Sequence, residues 1–501
     1  MKISIVGCGA TGVAILRHLA ELACSDADRC PVSEIQLFDK SGFDGGMAYR
    51  TQSDQHLLNM RVSTMSIRAG DSQDFLRWTS RAGVACEAND HLPRKVYRDY
   101  LEEVRQSAIE RCRNAGIRVS VEHAEVIAMH LTPAQDVVLQ TDRHESHVSS
   151  VMVLCTGHNA PDDNYNLGAS KNFLPDPYAA FNFADRGDLE VGILGSGLTA
   201  IDSLLALARS HPSVRVTCLS RSGLFPTVQA ISRPDADGEF RDALRRYVDD
   251  RHRIEADDLA STISRLLHAT TGLHCNLSFG NDDADALADL EHNIAQTEAR
   301  APNVTSYLTG VVDLVCDAWS KMDHDEKSRF MTCYNSGWLR NRSAMPLANA
   351  LKVRDLLRTG RLSTRSGLRS VAAIGSRFRA TFGTGNSCDL DHVIAATGPS
   401  YQLDALPLYA DMQRQGLVVL DSHGGIRCDY DDSRVLDERG GKHSNIFAVG
   451  SPTKGTHFYA GAVDINLRRA ESVIDTILGD AEQLRSRSTG AKAAAKLEVV
   501  D

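Results

Sequence analysis

A chain of two α/β domains, each wound around a parallel sheet, is predicted by two glycine turns, two matching strand ends and a polar helical stretch between them. The first turn lies in "KISIVGCGATGVAILRHL", where Ile3, Ile5 and Val6 form a short β-type run that stops at Gly7. Gly7, Gly9 and Gly12 then read G-x-G-x-x-G before a helical pattern. The second lies in "EVGILGSGLTAIDSLL": Val191, Ile193 and Leu194 run into Gly195, Gly197 and Ala200, the G-x-G-x-x-A variant. In this pattern the first glycine permits the tight turn and the second lets a pyrophosphate approach the backbone. The third lets the helix pack on the strand, with the phosphate at the helix N-terminus. Two copies, each in strand–turn–helix context, predict two Rossmann-like dinucleotide-binding domains.

After the first turn, a helix from residue 11 to about 23 leads through "SDADRCPVS" to the strand "EIQLFDK", which ends in Asp39 with Lys40 beside it. An acid there binds the ribose hydroxyls of a dinucleotide. The matching strand of the second copy, "VRVTCLSRSG", ends in Ser220 and Arg221 with no acid. A carboxylate would repel a 2′-phosphate, whereas a guanidinium fork and a hydroxyl hold it, so the second nucleotide reads as NADPH rather than NADH. Two apolar runs close on Thr-Gly: "VMVLCTGHNAP" at Thr156 and Gly157, and "HVIAATGPSY" at Thr397 and Gly398. Glycine at these points permits close passage of the backbone beside a ligand or a crossing chain. A last strand, "NIFAVG", ends at Gly450, and the helical pattern of 463–478 carries Asp464 in its first turn. The expected organisation is a first domain split into residues 1–185 and 366–478. A second domain at 186–365 contains a mostly helical insertion at about 235–357, and 479–501 forms a flexible tail with little to bury.

Bulk properties exclude several classes. A net charge of −10 over 501 residues offers no general footing for nucleic acid or an anionic membrane. No window holds eighteen apolar residues and no cleavable leader is visible, so a cytoplasmic protein is expected. The twelve cysteines include no C-x-x-C, as expected of reduced structural thiols, and the eighteen histidines show no convincing metal-ligand spacing, so no metal is expected. A homo-oligomer is left open.

Strand–GCGATG–helix–Asp39, two Thr-Gly strand ends, "GSGLTAID" followed by "LSRSGLFP", and a closing "IFAVG" together resemble the two-dinucleotide flavoproteins. More narrowly, "GMAYRTQSDQHLLNMRVSTMS", "FLRW", "LPRKVYRDYL" and "ATGPSY" resemble the FAD–NAD(P)-binding proteins related to flavin-dependent N-hydroxylating monooxygenases, over residues 1 to 478. The resemblance implies that Gly7, Gly9, Gly12 and Asp39 hold the adenosine diphosphate half of FAD, and that the segment around Asn59 passes near the isoalloxazine. It also implies that Gly195, Gly197, Ala200 and Arg221 belong to the NADPH site. The helix beginning near Asp464 would point its N-terminus at the flavin.

The chain departs from the broader pattern by placing "MRVSTM" after "HLLN" and by carrying Lys454 and His457 in "SPTKGTHFYAGAVD". Asn59, Arg61, Lys454 and His457 are therefore the catalytic candidates. Arg61, Arg342 in "WLRNRSAMP" and Lys454 are the candidates for a substrate carboxylate. The implied activity is an NADPH- and O2-dependent FAD monooxygenase acting through a flavin C4a-hydroperoxide on the nitrogen of a small amino acid or amine, with an aspartate N-oxygenase as the relative to test first. The alternatives are a flavin NAD(P)H oxidoreductase that passes electrons elsewhere and a flavin- or nucleotide-binding regulator.

Overall fold

The computed structural model describes residues 1–25, 30–231, 238–278 and 285–497. Two parallel sheets dominate it. In the first, β1 (Lys2–Val6) lies between β2 (Glu34–Phe38) and β7 (Val151–Leu154), with β3 (Arg118–Glu122) beyond β2 and the late strands β16 (Arg434–Leu436) and β17 (Lys442–Ala448) beyond β7. In the second, β9 (Glu190–Leu194) lies between β10 (Arg215–Leu219) and β15 (His392–Ala395), flanked by β11 (Leu362–Arg365) and β8 (Phe173–Leu174). Both central strands are buried on both faces beyond their first residue, as strands covered by helices on one side and a second layer on the other must be.

The two domains repeat one plan. Each crosses from the outer parallel strand, β3 or β11, back to the strand beside the centre, β7 or β15, through an antiparallel three-stranded meander: β4 (Val126–Leu131), β5 (Val137–Thr141) and β6 (Ser146–Ser149) in the first, β12 (Leu368–Ile374), β13 (Arg377–Phe382) and β14 (Ser387–Leu390) in the second. The meander of the second domain and β15 correct the expected boundaries. Residues 366–395 belong to the nucleotide domain and not to the returning half of the first, because β15 pairs with β9, His392 opposite Val191 and Ala395 opposite Leu194.

Helix α1 (Ala10–Ser25) packs with α3 (Arg94–Asn114) and α15 (Val463–Leu497) over one face of the first sheet, joining Ile3, Ile5, Leu16, Tyr97 and Ile474 in a single buried cluster. Short α2 (Asp74–Arg81) adds Phe75 and Trp78 to it. In the second domain α4 (Leu198–Ser210) fills the equivalent place. The insertion is helical, as expected: α5 (Glu239–Asp249), α6 (Ala256–Thr271), α7 (Ala286–Glu298), α8 (Val304–Thr309), α9 (Val312–Ser320), α10 (His324–Cys333), α11 (Asn335–Arg342) and α12 (Leu347–Arg358). Residues 235–237 and 279–284 of that expectation lie outside the described residues. Helix α13 (Pro407–Arg414) packs against β4, and one-turn α14 (Lys454–His457) precedes α15. Helix α15 runs on from the first domain to Leu497, into the segment expected as a tail. Residues 498–501 lie outside the described residues.

Candidate active site

The first cleft is built by the β1 turn. Gly7 has φ +103°, its N–H donates to the Phe38 carbonyl at 2.8 Å, and a Cβ there would stand 2.2 Å from the carbonyl oxygen of Cys155. Only glycine admits this crossing of β1 and β7. Cys8 N–H and Ser41 N–H donate to the two carboxylate oxygens of Asp39, at 3.0 and 2.9 Å. Burial still raises the pKa of that carboxyl above the usual carboxylate value, against these two hydrogen bonds. Opposite Gly9 stand Gly45 and Gly46, so a Cβ on Gly9 would project toward the Gly45 carbonyl 3.8 Å away. Thr156, Gly157 and His158 close one side, and Ala460, Gly461, Val463, Asn466 and Leu467 the other. A slot of about 150 Å³ walled by backbone, with an acid at the strand end, fits the pyrophosphate and ribose of a dinucleotide.

The second cleft is larger, about 990 Å³. Gly195 repeats the geometry of Gly7: φ is +113°, its N–H donates to Leu219 O at 2.7 Å, and a Cβ would lie 2.5 Å from Ala396 O. Gly197, at the start of α4, Ser220, Arg221, Thr397 and Gly398 line the cleft. The Arg221 guanidinium donates to the Ser336 hydroxyl of α11, so the insertion roofs the place where a 2′-phosphate is expected.

Ala48, Tyr49, His158, Ala460 and Gly461 line both clefts. The two nucleotide sites therefore share a wall, and Asn59 and Lys454 face the larger cleft beside it. Burial pushes Lys454 down to about 8; its ammonium donates to the Phe458 carbonyl and lies 4.3 Å from the Phe458 ring centroid. Phe458 itself holds φ +53°, a left-handed conformation rare for a bulky side chain. Burial also pushes His158 down to about 4, so its imidazole is neutral at the junction.

A side cavity of about 20 Å³ opens beside Asn59 and Ser343, and Arg61 and Arg342 both line it. Arg342 is 6 % exposed, donates to Tyr459 Oη at 2.5 Å and stacks on that ring at 4.2 Å. Its Nε is buried without a hydrogen-bond partner. Arg61 donates to Asn89 Oδ1 at 3.3 Å and to the Ala230 carbonyl.

Several expected residues are placed elsewhere. His457 is fully buried; its ring nitrogens meet Thr453 Oγ1 at 2.9 Å and Tyr430 O at 3.2 Å, and burial pushes it down to about 3. It is a neutral core histidine that lines neither cleft. Arg61 stands in the side cavity and does not line the first cleft. Lys40 points outward to Glu125, 3.6 Å away. Asp464 is exposed and faces Arg468, leaving the cleft wall of α15 to Val463, Asn466 and Leu467. Gly450 lies against Thr11 of α1, where a Cβ would be 3.2 Å from its hydroxyl, and Ala200 is buried behind the second turn, as a packing position requires. Gly45, Gly46, His158 and Ser336 were not anticipated. The glycine-rich "GFDGGMAYR" was the signal for the first two, whereas nothing local marks the others.

Residues 4–159 match the family of FAD-NAD(P)-binding proteins, which places an FAD-NAD(P)-binding domain at the first cleft. An uncharacterized protein of Escherichia coli (strain K12), YdhS, is 24% identical over 257 residues, which are 45% of this chain and 46% of that protein. The chain thus matches about half the length of that curated relative. Over nearly the whole chain the fold is that of two-dinucleotide flavoenzymes. The ornithine N-hydroxylase of Kutzneria sp. 744, solved with reduced FAD, NADP+ and L-ornithine, superposes with TM-score 0.55 at 16% identity, covering 95% of this chain and 98% of that one. The L-lysine 6-monooxygenase of Pseudomonas syringae gives 0.55 at 14% identity, covering 96% and 99%. Among the described residues, no helix is long and apolar enough to cross a membrane.

Proposed function

We propose that the protein is an FAD monooxygenase that uses NADPH and O2 to hydroxylate the nitrogen of a small amino acid or amine. The observation that carries this reading is the wall shared by the two nucleotide clefts, since Ala48, Tyr49, His158, Ala460 and Gly461 bring both sites to one junction. Bound FAD supplies electron transfer and oxygen activation there. Gly7, Gly9, Gly12 and Asp39 hold its adenosine diphosphate half, while Gly195, Gly197, Ser220 and Arg221 hold NADPH, with the arginine on the 2′-phosphate.

The substrate reading rests on charge. Arg342 is a buried guanidinium with no carboxylate partner among the described residues, and a buried cation without one is costly. Arg342, with Arg61 in the same cavity, takes a substrate carboxylate, while Lys454 stands across the larger cleft for a second anionic group. An amino dicarboxylate such as aspartate satisfies both positions. Neutral His158 and the buried rings of Tyr401 and Phe458 keep water from the junction. In kind, the superposed relatives whose names include ornithine and lysine agree with an amine-bearing amino acid.

The test is NADPH consumption with aspartate, glutamate, ornithine, lysine and simple polyamines, read together with hydrogen peroxide and product mass. Aspartate-dependent consumption with a product heavier by oxygen is expected. Peroxide alone with every amine would instead support an oxidoreductase without oxygenation, and NADPH that never reduces the flavin would support a regulator.

A further inference from the structure

A buried ion pair joins the two domains at the junction of the clefts. Arg94 is the first residue of α3 in the first domain, and Asp202 lies on α4, one turn beyond the glycine turn of the second. The guanidinium donates to Asp202 Oδ2 at 2.7 Å, and the two side chains are 12% and 4% exposed. Its other nitrogens are also committed, Nε to the Leu57 carbonyl at 3.2 Å and Nη1 to the Ala48 carbonyl at 3.4 Å. Tyr178, between β8 and β9 of the second domain, packs 5.8 Å from the guanidinium and hydrogen-bonds to Asp202.

These three carbonyl and carboxylate partners are not equivalent pieces of scaffold. Ala48 lines both clefts, Leu57 lies two residues before Asn59, and α4, preceded by Gly197, carries Leu198 and Thr199 of the second cleft. One planar fork thus ties together the first-cleft wall, the Asn59 segment and the nucleotide helix. A buried ion pair contributes little net stability over a well-packed apolar pair, so the three contacts of this one point to orientation. We propose that Arg94 and Asp202 are positioning residues: they hold α4 at one angle to the first domain, and so place the nicotinamide against the flavin ring.

The experiment compares the full chain with three variants, D202N, R94K and the apolar replacement R94M/D202L. The expected result is stoichiometric FAD, normal reduction by dithionite and little-changed NADP+ affinity in all three. The limiting rate of flavin reduction by NADPH should fall roughly ten- to hundredfold in D202N and R94M/D202L, as expected when reacting groups are misplaced by about 1 Å. R94K should recover part of the rate, since an ammonium can meet Asp202 but cannot reach all three partners. R94M/D202L should melt near the wild type while remaining slow, which a merely structural pair would not do. Amide hydrogen exchange gives a second reading that needs no turnover: protection in residues 45–49 and 198–202 should drop roughly tenfold in D202N. Wild-type reduction rates in D202N and the double variant would overturn the proposal, as would slow reduction that merely tracks lost FAD or melting temperature. Unchanged exchange in both segments overturns it even if the wild type proves not to use NADPH, a result that would separately remove the proposed function.

Discussion

The two nucleotide domains have one backbone plan and different chemistry at its edge. Both place a positive-φ glycine under a neighbouring strand's carbonyl, Gly7 beneath Cys155 and Gly195 beneath Ala396, and both return through a three-stranded meander. Both also accept their long insertion between the strand after the glycine-turn helix and the next parallel strand, β2 to β3 and β10 to β11: residues 39–117 in the first domain and 220–361 in the second. What differs is the residue after the second strand. Asp39 is held by two backbone N–H groups, ready for ribose hydroxyls, whereas Arg221 reaches to a serine of the insertion. The repeat therefore specifies where a dinucleotide lies, and two or three side chains specify which one.

The largest effect is expected from the glycines, which separate folding from binding. Gly7→Ala meets Cys155 O in a left-handed backbone, so that variant should fail to accumulate as folded protein. Gly9→Val should fold but lose FAD, because its side chain enters the slot, where the nearest atom, the Gly45 carbonyl oxygen, is 3.8 Å from Cβ rather than the 2.2 Å met at Gly7. Gly197→Val, with no atom within 4 Å of its Cβ position, should remain yellow and lose reduction by NADPH. Flavin content by absorbance and anaerobic titration read both. A Gly9→Val protein with full flavin would break the parallel between the two turns.

A smaller effect sharpens the difference. Arg221→Ala should weaken NADPH by roughly ten- to hundredfold, the equivalent of losing a charge-assisted contact of about 1.5–3 kcal/mol, and leave NADH almost unchanged. Adding Ser220→Asp should then favour NADH, since it gives the second domain the acid of the first. Michaelis constants for both coenzymes decide the matter; equal use of the two by the wild type would contradict the assignment.

Next comes the side cavity. Arg342→Ala should keep FAD and its reduction by NADPH but send more of the electrons to hydrogen peroxide, with Arg342→Lys restoring coupling only in part. Arg61→Ala serves as the contrast. Its guanidinium is held by Asn89 and the Ala230 carbonyl, so a lower melting temperature with coupling intact would mark a structural arginine, and lost coupling a second substrate contact. Peroxide formed per NADPH, measured at saturating substrate, separates these outcomes; unchanged coupling in Arg342→Ala would remove the carboxylate subsite.

Local chemistry explains what the sequence made legible. A strand, a glycine turn and a helix are neighbours along the chain, so Gly7, Gly9, Asp39, Gly195 and Arg221 could be read directly, and so could the helical character of the insertion. Sheet partners are not local. "VMVLCTG" and "HVIAATG" look alike, and only the pairing of β15 with β9 assigns the second to the nucleotide domain. Burial is equally invisible in one dimension. His457 and Lys454 stand three residues apart on the same one-turn helix, yet one turns into the core while the other faces the cleft. Arg61 and Arg342 are remote in sequence, and the folding of α8 and α11 over the Asn59 segment brings them to one cavity.

The smallest predicted effect is a pH dependence at Lys454. Burial lowers its pKa to about 8 in the folded protein, against an ordinary lysine value of 10.5. The unfolded chain therefore binds more protons than the folded one between about pH 8 and pH 10.5, and stability rises with pH wherever that holds. Below pH 8 both states carry the proton, so the full penalty of burying the ammonium is present. It is relieved as pH rises through the folded value toward the unfolded one. Lys454→Met removes the charge and keeps an apolar stem against Tyr401 and Phe458, at the loss of the bond to the Phe458 carbonyl. Relative to the wild type, the variant should gain most in melting temperature at pH 7, by a few degrees at most, and lose that advantage by about pH 10. A saturating dicarboxylate ligand should raise the wild type's relative stability at pH 7, because an anion beside the ammonium offsets the cost of its burial. Melting curves of both proteins at pH 7, 8.5 and 10, with and without aspartate, measure this. A difference between them that does not change with pH would show that Lys454 is not held as a buried cation facing the cleft.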